Sequence, residues 1–547
     1  MSKVSSRPWR RAQGPLWQPS LVYSKFVSTS AYSKPMGSLR YIYLLWSLLS
    51  PVTCLLHQPI RSSHVLTRMS AGVSSSRQVP VRSLESSWRT LPDIWSSLAR
   101  LIPNETMLID VIREPTQEIS YAEGNTMITT IAASLQRLGL LSGDCVSMFS
   151  ENSYRWFLLD QGIMKAGGCN AVRGAQASLA ELRYIYDNSG SMGLVVENME
   201  LLQTLYSQGG LKSRGGVPKF IIILYTNGLK GSDVCQSIPQ IAKETSVLSF
   251  EEMFALCSPS EYKSVMRDSE STATLVYTSG TTSKPKGVIL RHRNILHQVT
   301  SNSFSRNFQS PLNPCIKDVF LSILPCWHIF ERTAEYFTLS RGCVLVYSNL
   351  RNFKSDLQRW RPHFLIVVPR LIETIQKGVL SNFRQQTGIK KHLINIFTAI
   401  SSTYKSFLRK FQNIDIGEDT TPLIVRVVSA LIALLLWPLH RLGDNLVWKK
   451  VRSNLGGRLK VIVSGGSLLP LPVEKFFSMI GLNIIVGYGL TETAPTITSR
   501  YIERNVLGTV GMPCPKTSIK LVHPETKIEV LKGSSGYILH RIHEQLA

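Results

Sequence analysis

Between Tyr277 and Val288 the chain reads Tyr-Thr-Ser-Gly-Thr-Thr-Ser-Lys-Pro-Lys-Gly-Val. Four hydroxyls (Thr278, Ser279, Thr281, Thr282), Gly280, Gly287 and Lys286 thus fall between two apolar runs, 273–276 and 288–290, that read as strands. Glycine lets backbone N–H groups turn toward an anion, hydroxyls add donors or a metal ligand, and lysine adds a point charge. This is the chemistry of a phosphate cradle, although the same residue types also make ordinary turns. It is not a Walker loop, because six residues separate Gly280 from Gly287 and no Gly-Lys-Ser/Thr follows.

Two clusters downstream carry complementary chemistry. The apolar run 459–463 ends in Ser464-Gly465-Gly466-Ser467, where paired glycines let backbone approach a flat ligand. About 20 residues later a strand-like run, 483–486, leads into Gly487-Tyr488-Gly489-Leu490-Thr491-Glu492-Thr493. Tyr488 offers an aromatic face to a base, Thr491 a hydroxyl to a phosphate, and Glu492 a hard oxygen to Mg²⁺. A third cluster, Leu324-Pro325-Cys326-Trp327-His328-Ile329-Phe330-Glu331-Arg332, sets a histidine among aromatics. Such a histidine is more often structural than catalytic.

Taken together, the three segments resemble the acyl-adenylate-forming (AMP-binding) superfamily, whose members join ATP to a carboxylate and pass the acyl group to a thiol. The chain departs from the family's usual signature at Ser283, where glycine is customary. The resemblance implies that Thr278, Ser279, Gly280, Thr281, Thr282 and Lys286 hold phosphates. It sets Gly465, Gly466, Ser467, Tyr488, Gly489 and Thr491 around the nucleotide, with Thr281 and Glu492 toward Mg²⁺. The His-Ile-Phe-Glu-Arg run is similar to that of long-chain acyl synthetases, which makes Trp327 and His328 candidates for the adenylate and acyl pocket. Glu331 and Arg332 are expected to form a structural ion pair. Lys286, Thr491 and His328 are the catalytic candidates. The implied reaction is attack of a fatty carboxylate on the α-phosphorus of ATP, then transfer of the acyl group to a phosphopantetheine thiol. Segments 368–373 and 508–513 also match the family but look architectural.

These residues need elements to position them. Helical periodicity over 128–140 and 156–166 alternates with strand-like runs at 145–149, 193–196 and 220–224, which predicts parallel βαβ units. With the resemblance, the expectation is an α/β adenylate-forming fold: two doubly wound subdomains and a partial β-barrel, without the small C-terminal domain. The family's ribose-binding Asp, hinge residue and adenylation lysine find no counterpart before Ala547, and Glu544 does not match the ribose acid's context. A truncated, non-catalytic remnant that binds nucleotide or acyl chains is therefore the alternative to an active ligase.

Composition narrows the class further. The 547 residues are 44% hydrophobic and 18% charged, as in a globular protein. Nine scattered cysteines without a Cys-x-x-Cys pair indicate reduced thiols rather than zinc or disulfides. The net charge is +25, and residues 1–84 hold 11 Lys or Arg, 18 Ser and no acid before Glu85. That leader reads as a plastid transit peptide or a disordered extension, with a truncated AMP-binding large domain expected over 85–547. A basic surface suits acyl carrier protein, coenzyme A or an anionic membrane, and no nucleic-acid module is visible. Residues 383–419 are a polar, basic insert. Residues 423–439 are apolar apart from Arg426 and stop at Trp437-Pro438, which fits a helix lying at a membrane surface such as the envelope better than a spanning one. A channel or transporter would need more and longer apolar segments. This stretch and its flank resemble plant plastidial enzymes that load fatty acids onto acyl carrier protein, with long-chain acyl-CoA synthetases as runner-up.

Overall fold

The computed structural model describes residues 18–20, 83–214, 216–278, 284–301, 310–415, 421–530 and 536–542. The leader 1–84 lies almost wholly outside these residues, as do Ser279–Ser283 of the phosphate loop and Glu544.

Two large sheets organise the chain. The first has seven strands in the order Lys286–Arg291, Thr272–Thr278, Cys169–Arg173, Cys145–Phe149, Gly193–Asn198, Phe220–Tyr225 and Ser246–Ser249. All pair in parallel except the first two, which form an antiparallel hairpin at the edge. Apolar runs such as Phe-Ile-Ile-Ile-Leu at 220–224 are buried throughout, as expected of parallel strands covered on both faces. The second sheet has nine strands. Its parallel centre runs Ile484–Gly489, Val461–Ser464, Phe364–Val367, Val319–Ser322, Val344–Tyr347 and Thr106–Asp110. Where a partial barrel is expected, the described residues form a three-stranded antiparallel sheet of Tyr537–Ile542 and Thr517–Val522 with Gln18–Ser20, a short stretch of the leader, on its edge.

Helices cover the sheets, and five of those described start where a side chain accepts from a free N–H group. The Ser120 hydroxyl accepts from Glu123 N–H while the Glu123 carboxylate accepts from Ser120 N–H, so the helix Tyr121–Arg137 begins seven residues before the periodic run that predicts it. Between the sheets lies an apolar core that includes Trp95, Trp156 and Phe157. One polar knot crosses it. Arg332, on the helix Ile329–Leu339, is fully buried and pairs with Asp160. It also donates to Thr274 Oγ1 (2.8 Å), Asn170 Oδ1 (3.1 Å) and Tyr336 OH (2.7 Å).

Two sequence-based expectations need correction. Arg332 is not the partner of Glu331, because consecutive residues on a helix point in different directions. Glu331 is instead buried beside Glu335, and burial followed by that neighbouring carboxylate pushes its pKa well above the carboxylate range. Nor does the apolar helix stop at Trp437-Pro438: it runs Leu423–Gly443 with Pro438 inside it, and helical structure continues to Asn454. His440 and Trp448, beyond the proline, both bond Ser401 Oγ at 2.9 Å, and this packing holds the continuation in place. Ser401 belongs to a 25-residue helix, Gly388–Gln412, inside the insert that composition marked only as polar and basic.

Candidate functional site

A cavity of about 420 Å³ lies between the second sheet and the helix Ile329–Leu339, and it draws together segments far apart in sequence. Thr278, from the edge hairpin of the first sheet, lines it. So do His328, Gly465, Gly466, and the run from Gly487 through Tyr488, Gly489 and Thr491 to Glu492. These are carboxyl-terminal ends of strands in an open α/β sheet, where such folds bind ligands.

Local chemistry explains each position. Thr278 ends its strand, and Lys286 faces it across the hairpin in register. Lys286 is exposed and does not itself line the cavity, but it stands one strand from a residue that does. A Cβ at Gly465 would come within 2.9 Å of the Phe330 ring, so only glycine lets this loop lie on that aromatic. Gly466 adopts a left-handed backbone with φ of 84°. Gly489 sits at a bulge where a side chain would meet Pro495 O at 1.9 Å, and the chain then turns through Thr491–Thr493. Gln298 braces this turn by donating to Thr496 O at 3.0 Å, and Thr333 Oγ1 donates to Ala494 O at 3.3 Å. Thr491 is half-buried and Glu492 exposed, both facing the cavity.

His328 caps the helix Ile329–Leu339, its Nδ1 accepting the Phe330 N–H at 3.3 Å. That bond leaves the proton of the neutral ring on Nε2. Although its edge is open to solvent, the protein crowded around it, then the Arg173 charge, hold its pKa below the ordinary imidazole value. The ring is therefore a neutral donor near pH 7.

Besides Lys286, two more sequence-derived candidates are not part of the lining. Trp327 turns away toward the first sheet, where its indole N–H donates to Glu151 Oε2 at 3.2 Å and the Arg173 guanidinium lies 4.8 Å from its ring centre. A half-buried indole needs an acceptor for its N–H, and Glu151 supplies it on that side. Ser467 is exposed beyond the glycine pair. Conversely, Phe330, Thr333, Ala334 and Phe337 line the cavity together with Phe364, Leu365 and Ile366, giving it an apolar interior. The recurrence of 330, 333/334 and 337 is the helical spacing that could have marked them.

The donor set fits a nucleotide with a magnesium ion. Hydroxyls of Thr278 and Thr491 and one carboxylate, Glu492, meet beside two glycine turns. No cluster of three or more His, Cys, Asp or Glu able to hold a metal is present among the described residues. A single carboxylate suits Mg²⁺, which keeps water and phosphate oxygens as its other ligands.

The fold and the cavity define a protein of the adenylate-forming class. Residues 98–545 match the AMP-binding enzyme family, and the chain belongs to it. Among curated proteins it is 35% identical over 483 residues to probable acyl-activating enzyme 16, chloroplastic, of Arabidopsis thaliana, covering 85% of this chain and 64% of that protein. It is 36% identical over 477 residues to the long-chain-fatty-acid acyl-carrier-protein ligase AEE15, chloroplastic, of the same plant, again covering 85% and 64%. The chain thus spans under two thirds of the length of these relatives. The crystal structure of the anthranilate CoA ligase AuaEII in complex with anthranoyl-AMP matches with a TM-score of 0.58 at 18% identity, over 84% of this chain and 70% of that one.

Proposed function

We propose that this protein activates medium- or long-chain fatty acids with ATP through an acyl-AMP and hands the acyl group to the phosphopantetheine thiol of acyl carrier protein, with coenzyme A as the second acceptor to test. The observation that carries this reading is a single cavity lined both by Thr278, His328, Gly466, Tyr488 and Glu492 and by the aromatic and aliphatic residues 330, 337 and 364–366. Polar groups for a nucleotide and an apolar wall for an acyl chain, in one opening, are what carboxylate adenylation requires. The likeness to a chloroplastic fatty-acid acyl-carrier-protein ligase supports the acceptor and a plastid location. Residues 1–84 as the transit peptide and 85–547 as the AMP-binding domain belong to the same proposal.

In this reading Tyr488 and the Gly465-Gly466 turn hold adenine. Thr491 donates to the α-phosphate, and Thr278, the loop 279–282 and Lys286 face the departing pyrophosphate. Glu492, with Thr281, would hold Mg²⁺, which offsets phosphate charge when bound. His328 donates from Nε2 toward the oxygen shared by carboxylate and phosphate. Excluding water along the apolar wall protects the mixed anhydride and strengthens each of these polar contacts. Peripheral membrane association through 423–439 belongs to the same reading, because the acyl substrate partitions into bilayers.

The test is ATP–pyrophosphate exchange by this chain with palmitate. Exchange that depends on the fatty acid is expected, and its absence from folded protein would leave only a binding role. A version extended to the length of the relatives, given ATP, labelled palmitate and both acceptors, then separates carrier protein from coenzyme A.

A further inference from the structure

The helix Leu423–Gly443 packs against Gly388–Gln412 as an antiparallel hairpin, and its two faces differ in kind. The inner face carries Ser429, Ala430, Ala433, His440 and Gly443, all buried. Contact there is close, since a Cβ at Gly443 would lie 2.6 Å from the Phe397 ring. The outer face presents Ile424, Val428, Leu431, Leu435, Leu439 and Leu442, spaced three or four apart and all exposed, with Ile424 at 78%, Leu431 at 62% and Leu435 at 77%. At 1.5 Å per residue this stripe is roughly 30 Å long. The companion helix extends it at the base of the hairpin with Ile389, Leu393 and Ile396, again at helical spacing and exposed. Contiguous apolar surface on this scale marks a docking face.

Charge around the stripe identifies what covers it. Residues 388–454 hold ten Lys or Arg against four Asp or Glu. Of those acids, Asp415 is paired with Arg409 and Asp444 with Arg452. Lys390 and Lys391 on one helix, and Lys449 and Lys450 beyond the other, are exposed near the base. A second copy of this chain would set like charges against one another, which opposes self-association. An anionic surface is complementary. The described residues contain one helix long and apolar enough to cross a membrane, Leu423–Asn454. Its inner face, however, is committed to a companion carrying Lys390, Lys391, Lys405, Arg409 and Lys410, so an orientation along the surface satisfies both helices.

We propose that the 388–443 hairpin is a bilayer-docking blade selective for anionic lipid, with the 424–442 stripe sunk among acyl chains and the lysines at its base on the headgroups. This rests on the reading of peripheral membrane association and deepens it by naming the lipid class and the composite face. The experiment is co-sedimentation of the full chain with vesicles of phosphatidylcholine alone or mixed roughly 7:3 with phosphatidylglycerol. Binding to the mixed vesicles is expected to be at least about tenfold tighter than to the neutral ones and to weaken with salt. Leu431→Asp/Leu435→Asp should abolish it, and Lys449→Glu/Lys450→Glu should lower it several-fold. Both pairs change exposed side chains, and unchanged melting and ATP–pyrophosphate exchange verify that the fold and the nucleotide site survive. Equal binding to both vesicle types, still lost in Leu431→Asp/Leu435→Asp, would overturn the anionic selectivity while leaving peripheral association standing. No binding to either vesicle would sink both. Self-association in lipid-free buffer, removed by the same leucine pair, would overturn the blade in favour of an interface between copies.

Discussion

At the residue scale, the site is built from small residues that let backbone come close and hydroxyls that then face the opening. Gly465 shows the first requirement, because its loop rests on Phe330 and any side chain must displace that ring. Gly465→Ala is expected to destabilise by about 1–3 kcal/mol through overpacking. Adding Phe330→Leu should recover part of the loss in a thermal melt, which a purely conformational role for the glycine would not permit. Thr491 shows the second. If it donates to the α-phosphate, Thr491→Ala lowers ATP–pyrophosphate exchange by about 10²-fold with little change in melting temperature, the cost of removing one donor aimed at developing charge. Sequence alone made Gly465, Gly466, Tyr488, Thr491, Glu492, Thr278 and His328 visible, because their types are unusual in combination, and the structure brings all seven to one cavity. It could not separate Trp327 from His328, since adjacent residues at a strand-to-helix turn point to different sides.

At the element scale, strands were legible and the hairpin was not. Strands buried on both faces read as unbroken apolar runs, so 220–224 and 145–149 announce themselves. The helix Gly388–Gln412 hides among lysines because few of its side chains are buried, and Pro438 hides the length of its partner. What holds that partner beyond the proline is titratable. His440 is buried, stacks on Tyr404 with ring centres 4.3 Å apart, and bonds Ser401. Burial first, then the Lys405 charge, lower its pKa to about 4, with Arg441 and Arg452 acting the same way and Asp444 opposing them. The unfolded chain takes up a proton near pH 6.5 that the folded chain refuses until about pH 4, so this group costs stability as pH falls through that window. By linkage the cost at pH 5 is about 2 kcal/mol. Other groups shift the total, since Glu335, with its pKa raised to about 8 chiefly by burial, gains stability as pH falls from 8 toward 4.5. The clean measurement is therefore a difference. His440→Gln, which keeps a partner for Ser401, should lose about 2 kcal/mol less than the parent between pH 7 and pH 5 in denaturant titrations. Parallel slopes would show that the ring is not held neutral.

At the scale of the whole molecule, the two sheets must keep a fixed relation for Thr278 of one to reach a cavity walled by the other. The Asp160–Arg332 pair provides a polar link between them, reaching from the helix that His328 caps to Asn170 and Thr274 on the first sheet. Its partners are 172 positions apart, which is why a reading along the chain paired Arg332 with adjacent Glu331 instead. Both ions are fully buried, so their desolvation is offset only while all the partners are present. Asp160 also accepts from Asn170 Nδ2 and Gln161 Nε2, each at 2.7 Å, and Gln161 in turn accepts from the Trp95 indole. Arg332→Met leaves the carboxylate without its cation and should destabilise by about 3–5 kcal/mol. Asp160→Asn combined with Arg332→Met removes both charges and should regain most of that in equilibrium unfolding. If the pair also sets the angle between the sheets, the double variant will melt near the parent temperature yet bind ATP more weakly, because Thr278 no longer meets Thr491 across one opening. Equal ATP affinity in the parent and the double variant would confine the pair to stability.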